Sequence, residues 1–273
     1  MRSSLRFLEI HSSSNPQIKE YRRLAGSRKQ RRSAGKLALE GPFLIAEALA
    51  AGLRPEVLFL TRRYLEEGGK AICAAVPEPS RCCLLPPSLF ARLTDTETPQ
   101  EIAAIIPFQE PVLTFPLPKE LSLAIILDRL QDPGNMGTIV RTAAAAGVEG
   151  LFYGPGCVDP YSPKALRSSA GALFHLPPVK AAEPLELLKQ MQEQGIAVVA
   201  AQPRGGRSFW EIDYRKNIAV LIGSESRGLS QELVAAADFP VSIPQFSSLD
   251  SLNAAVAAAV IIYEALRQRT GQL

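Results

Sequence analysis

The chain has 273 residues, 47% of them apolar, and a formal net charge of +3. That size and composition fit one large domain or two of ordinary size and exclude a disordered chain. Apolar runs fall well short of the roughly 18–20 residues that cross a bilayer, and the start, MRSSLRFLEI, lacks the sustained apolar stretch of a secretory signal, so no membrane role is expected.

The N-terminal segment is the most uneven in charge. Residues 1–36 hold ten Lys or Arg against two acids, Glu9 and Glu20, whereas the remainder holds twenty against twenty-five. A concentrated basic segment such as Arg22 to Lys36 is the electrostatic footprint of nucleic-acid binding, and it reads as a separate arm. Ala38 to Gly52 is expected to be a helix closed by Gly52, followed by a strand over Glu56 to Leu60. Together, residues 37–108 form a small α/β unit. Three prolines between Gln109 and Leu121 favour an extended connection, placing a linker over 109–120.

From residue 121 to 273 the pattern alternates. A buried strand within Leu121 to Leu127 leads to a helix over Gly137–Ala146, then a strand at Gly150 to Tyr153. Ser162 to Leu173 reads as a helix or helical turn. Pro184 to Gly195 reads as an amphipathic helix, Ile196 to Gln202 and Ile218 to Gly223 as buried strands, and Gln231 to Ala237 as a helix. A short strand at Phe239 to Pro244 precedes a final helix over Ser251 to Arg267. Alternation of this kind predicts an α/β fold with a mostly parallel sheet.

In such a sheet ligands bind beyond the carboxyl ends of the strands. Three loops there are unusual: DRLQDPGNMG from Asp128, GSESRGLS from Gly223 to Ser230, and IPQFSSLDSLN from Ile243 to Asn253. Phosphate-loop and dinucleotide glycine patterns are missing, which weakens ATP- and NAD-binding readings. Cys73, Cys82, Cys83 and Cys157 form no C-x-x-C pair, and His11 and His175 are the two histidines. Neither zinc nor a disulfide framework is expected, and the chain suits a reducing cytoplasm. Ser251 or Asp250 is the expected cap of the final helix.

Taken together, the three stretches resemble the SpoU (TrmH-like) branch of the SPOUT RNA methyltransferases. Asn135, Gly137 and Arg141 match the first family motif, Gly223 to Leu229 the second, and Ile243, Pro244, Ser251, Leu252 and Asn253 the third. Leu37 to Leu49 resembles the small substrate-binding domain, of ribosomal-protein L30e type, that often precedes it. The resemblance implies a trefoil-knotted C-terminal domain, S-adenosyl-L-methionine as cofactor, a homodimer through that domain, and methyl transfer to a ribose 2′-oxygen, with ribosomal RNA ahead of tRNA. It places Gly223, Ile243, Leu252 and Gly228 at the cofactor and makes Arg141 the central catalytic residue, orienting the hydroxyl or its adjacent phosphate. Asn135, Glu225, Ser251 and Asn253 are further candidates for the catalytic centre. The structural alternative for Arg141 is an ion pair with Glu225. Two positions depart from the family, which usually has methionine and glycine where this chain has Gln245 and Ser247. A non-catalytic RNA-binding or ribosome-assembly protein with the same fold is the competing reading.

Overall fold

The structure is a computed structural model, described here for residues 7–76, 80–94, 96–118, 121–246 and 251–271. It divides into two compact units, one of residues 1–110 with 161–174, the other of 111–160 with 175–273.

The first unit is built on strands β1 (Phe7–Glu9), β2 (Lys36–Glu40), β3 (Val57–Leu60), β4 (Arg81–Leu84) and β5 (Ile102–Pro107), ordered β1-β4-β3-β5-β2. β1, β4 and β3 run parallel, and β5 is antiparallel to both β3 and β2. The helix expected from Ala38 begins only at Pro42, as α3 (Pro42–Ala50). Ala38 to Glu40 are instead in β2, where pairing of Ala38 with Ile105 and Leu39 with Ala104 overrides helix propensity.

The basic segment is no separate arm. It folds as α1 (Pro16–Gly26) and α2 (Arg28–Ala34), with Asn15 capping the first and Ser27 the second. Ile18, Tyr21 and Leu24 recur at helical spacing on α1 and are buried against Phe59, Ala103 and Ile105 of the sheet. Many of its cations serve the fold. Arg31 is buried, and its Nη1 donates to the carbonyls of Leu24 (2.5 Å) and Ala25 (3.1 Å) at the end of α1. Arg22 donates to the Arg92 carbonyl, Arg32 pairs with Glu110, and Lys36 sits between Glu20 and Glu56. Lys19, Arg23 and Lys29 remain exposed, their side chains without a hydrogen bond or ion pair among the described residues.

Residues 161–174, expected in the C-terminal domain, also belong to this unit. The helix Pro163–Ser168 lies against β2, Arg167 approaches Glu40 at 3.8 Å, and Tyr161 packs its ring on Phe108 at 4.9 Å.

The second unit is a seven-stranded sheet in which every pairing is parallel, ordered β10-β12-β9-β11-β6-β7-β8. Its strands are β6 (Leu123–Asp128), β7 (Gly150–Tyr153), β8 (Val179–Lys180), β9 (Ala197–Gln202), β10 (Arg207–Ser208), β11 (Ile218–Gly223) and β12 (Phe239–Ser242). The central strands are apolar on both faces, as a sheet covered on both sides requires. Helices α4 (Pro133–Ala145), α5 (Pro184–Glu193), α6 (Gln231–Ala236) and α7 (Ala254–Thr270) connect or follow them. Leu187, Leu188 and Met191 of α5 bury against Ile126, Val198 and Leu221 of three neighbouring strands.

The expected linker, from Pro111 on, is part of this unit. Leu117 and Leu121 join its core, and Val112 bridges Lys180 beside β8, so the prolines shape a surface path rather than a free tether. The knot implied by the resemblance would close through residues 243–253, and 247–250 of that loop lie outside the described residues.

Candidate active site

Strands β12, β9, β11 and β6 are adjacent and parallel, so their carboxyl ends share one edge of the sheet. The three unusual loops leave from β6, β11 and β12 and meet there.

The first loop is short because the helix starts at once. Asp132 is the cap of α4, its carboxylate accepting from the backbone of Gly134 and Asn135 at 3.2 Å each, with Pro133 in the first turn. Pro-Gly-Asn-Met-Gly is therefore the opening turn of the helix, and Asn135 is held at its mouth.

The second loop folds back on itself. Gly228 donates from its backbone to the Ser224 carbonyl at 2.8 Å with φ at +61°, a conformation glycine adopts without strain. The returning chain passes so near Gly223 that a Cβ there would lie 2.3 Å from the Gly228 carbonyl carbon. The buried Asp128 carboxylate, at the end of β6, accepts from the Ser230 backbone at 2.8 Å and ties this loop to the first.

The third loop ends in the cap of α7. That cap is Asn253, whose Oδ1 accepts from Ala255 (3.0 Å) and Val256 (3.2 Å). Ser251 was expected there and does not fill the role; Asp250 and Ser247 lie outside the described residues. Sequence spacing alone favoured serine because it ranks as high as asparagine at caps.

One polar chain joins the three loops. Asn135 Nδ2 donates to the Glu225 carboxylate, and Asn253 Nδ2 donates to Asn135 Oδ1 at 3.2 Å. Residues 90 and 118 positions from Asn135 thus share its single amide.

Beside this chain is an open cleft of about 630 Å³, part of it open to solvent. Gly223, Glu225, Gly228, Ile243, Ser251 and Leu252 line it, which brings together all four expected cofactor positions. Its floor is apolar, from Val241, Ala254, Ala257 and Ile261. Gln202, Pro203 and Gln245 complete the wall. The sequence reading did not single out Gln202 and Pro203, although Gln202 ends β9 and Pro203 follows it, at a strand's carboxyl end, the same signal that marked the other loops.

Arg141 stands apart. It is exposed on α4, six residues or about 9 Å along the axis from Asn135, and does not line the cleft. Its side chain makes no hydrogen bond or ion pair among the described residues, so the structural alternative of an ion pair with Glu225 is not met; the Glu225 carboxylate accepts from Asn135 instead. Among the described residues no group of three or more His, Cys, Asp or Glu could hold a metal, and no helix is long and apolar enough to cross a membrane.

An all-parallel α/β unit with a loop-walled cleft on its carboxyl edge, preceded by a small mixed-sheet unit, defines a two-unit protein with one composite ligand site. Residues 122–263 match the SpoU rRNA Methylase family, and residues 15–104 match an MRM3-like substrate binding domain. The chain belongs to the SpoU rRNA methylase family, and so to the RNA methyltransferases. A 23S rRNA (guanosine(2553)-2'-O)-methyltransferase, RlmP, of Bacillus subtilis is 31% identical, over 93% of this chain and 98% of its own. A 23S rRNA (uridine(2479)-2'-O)-methyltransferase of Streptomyces viridochromogenes is 32% identical, over 94% and 92%. The crystal structure of an AdoMet-bound rRNA methyltransferase from Sinorhizobium meliloti has a TM-score of 0.83 at 30% identity, covering 96% of this chain and 98% of that one.

Proposed function

We propose that the protein transfers a methyl group from S-adenosyl-L-methionine to a ribose 2′-hydroxyl of ribosomal RNA. The observation that carries this is the Glu225–Asn135–Asn253 chain, which joins one residue from each motif beside a cleft lined by Gly223, Gly228, Ile243 and Leu252. The residues fit the cofactor. The cleft's apolar lining suits the base and ribose, and Gln245 Oε1 is buried there without a partner among the described residues. The two relatives act on a guanosine and on a uridine, but both on the 2′-oxygen. This supports chemistry at the ribose, with the base chosen by RNA contacts elsewhere.

When bound, the cofactor supplies an electrophilic methyl group on a sulfonium sulfur. The chain supplies the position and the charge. The polar chain fixes the three loops relative to one another, so the cleft walls keep their spacing without reorganising. Arg141, whose side chain has no partner among the described residues, offers forked donors and a positive charge to a phosphate next to the target ribose. That contact orients the hydroxyl and stabilises negative charge growing on its oxygen as the proton leaves.

A homodimer through the C-terminal unit is part of the proposal. Val256 and Tyr263, two turns apart on one face of α7, are 50% and 51% exposed, and α7 packs along α4, which carries Arg141. An exposed apolar face of this kind suits burial by a second copy. A light-scattering mass of one chain at micromolar concentration would remove this part.

The test is methyl transfer from radiolabelled S-adenosylmethionine to ribosomal RNA and to ribosomal subunits, comparing wild type with Arg141→Ala. Label at one alkali-resistant linkage, lost by about 100-fold or more in the variant while S-adenosylhomocysteine still binds, is expected. Label on a base, or none while RNA and S-adenosylhomocysteine both bind, would overturn it.

A further inference from the structure

Gln245 brings a buried, unsatisfied polar atom to the cleft. Its Nε2 donates to the Pro203 carbonyl at 3.5 Å, and its Oε1 is buried with no hydrogen-bond partner among the described residues. Rotating the amide by half a turn would set two acceptors, Oε1 and the Pro203 oxygen, against each other, so the contact fixes which atom is left over. A buried acceptor without a donor carries its full desolvation cost, and a ligand with a suitably placed N–H recovers it.

The surroundings restrict what that ligand group is. Gln245 shares the cleft with Val241, Ile243, Leu252 and Ala257, all apolar, while the carboxylate of Glu225, the hydroxyls of Ser224 and Ser251 and the amide of Gln202 supply its other polar side chains. A cationic ammonium calls for a carboxylate or several acceptors, and one neutral amide oxygen amid aliphatic side chains offers neither. Hydroxyls of a ribose can turn toward any of the serine and carboxylate oxygens. A flat group with apolar faces and a neutral N–H on its edge fits the aliphatic walls and the single oxygen together.

We propose that the Gln245 side-chain carbonyl accepts a hydrogen bond from the exocyclic amino group of the cofactor's adenine, making Gln245 a specificity-determining residue of this cleft. The proposal rests on the reading of the cleft as the S-adenosyl-L-methionine site. It is a property of this chain's own side chain: the methionine usual at this place in the family has only a thioether, a weak acceptor.

Calorimetry on the full chain tests it, using S-adenosylhomocysteine and its deaminated analogue S-inosylhomocysteine, in which a carbonyl oxygen replaces the amino group. Wild type should prefer the adenosyl ligand by about tenfold or more, because the analogue sets an acceptor against Oε1. In Gln245→Met that preference should shrink to about twofold, with the adenosyl ligand itself bound several-fold more weakly. A melting curve checks that the variant is folded. Wild type that binds both ligands equally overturns the proposal whether or not the variant folds, as does a folded Gln245→Met that keeps the full preference. Wild type that binds neither overturns the cofactor reading itself, and this proposal with it.

Discussion

The basic helices of the first unit and the loop cluster of the second use polar side chains in opposite ways. On α1 and α2, neighbouring cations diverge: Arg31 turns inward to carbonyls of its own helix pair, Arg22 and Arg32 reach other segments, and Lys19, Arg23 and Lys29 face solvent. In the loop cluster, residues far apart in the chain converge on one amide, that of Asn135. A run of like charges thus holds at least two jobs, support and contact, that its sequence does not separate. Three spaced motifs hold one job, and Glu225 and Asn253 meet it through one shared partner, Asn135.

That contrast can be broken from either side. The largest effect is expected at Gly223→Ala, whose new Cβ would collide with backbone of the returning loop. Overpacking of this kind costs about 1–3 kcal/mol, and calorimetry should show S-adenosylhomocysteine binding lost even where the melting curve shows a folded chain. Asn135→Ala removes the shared amide and leaves Glu225 and Asn253 without their common partner. Methyl transfer should fall about 10–100-fold, mostly in kcat, since the residue steadies the site rather than lining the cleft. Unchanged kcat would mean the loops hold their places without the polar chain.

On the basic helices, a Lys19→Glu, Arg23→Glu, Lys29→Glu triple variant should weaken RNA binding about tenfold and lower the slope of log K against log salt by roughly 2–3, with its melting temperature kept. Arg31→Gln should do the reverse, losing about 1–3 kcal/mol of stability with the salt slope unchanged. Equal effects from both would mean that support and contact are not divided as described. The smallest effect concerns the buried thiols. Burial, reinforced by neighbouring Cys82, pushes Cys73 and Cys83 up to about 11 from an ordinary 9.0. The neutral thiols favour the folded state, so their contribution is intact below pH 9 and lost as pH rises through about 11. Urea midpoints across that range should fall in wild type and fall less in a Cys73→Ala, Cys83→Ala variant.

The same contrast explains what the sequence made legible. Elements of the second unit could be read because buried parallel strands are continuous apolar runs, as in β6 and β11, and because Gly147 and Gly195 close α4 and α5. Eight of the nine candidate residues converge on one site because motif positions record contacts across strand ends. Arg141 does not join them within one protomer. The cap of α7 was misplaced because serine and asparagine rank alike and only the bond to Asn135 favours Asn253. In the first unit the arm and the start of α3 were misread for related reasons. Charge hid the buried stripe of Ile18, Tyr21 and Leu24, and the apolar run Leu37 to Leu39 suits a strand as well as a helix. The assignment of 161–174 depends on contacts with β2 and Phe108 that no local pattern encodes.

The placement of residues 161–174 bears on how such proteins can be taken apart. Cutting the chain near residue 110 would yield a fragment with Glu40 and Phe108 but without Arg167 and Tyr161, the side chains they meet. The substrate-binding module is therefore not a cassette that can be grafted by its N-terminal sequence alone. A transplant between relatives would need both stretches exchanged together, and a limited-digestion fragment ending near residue 110 should be less stable than the same fold in the intact chain.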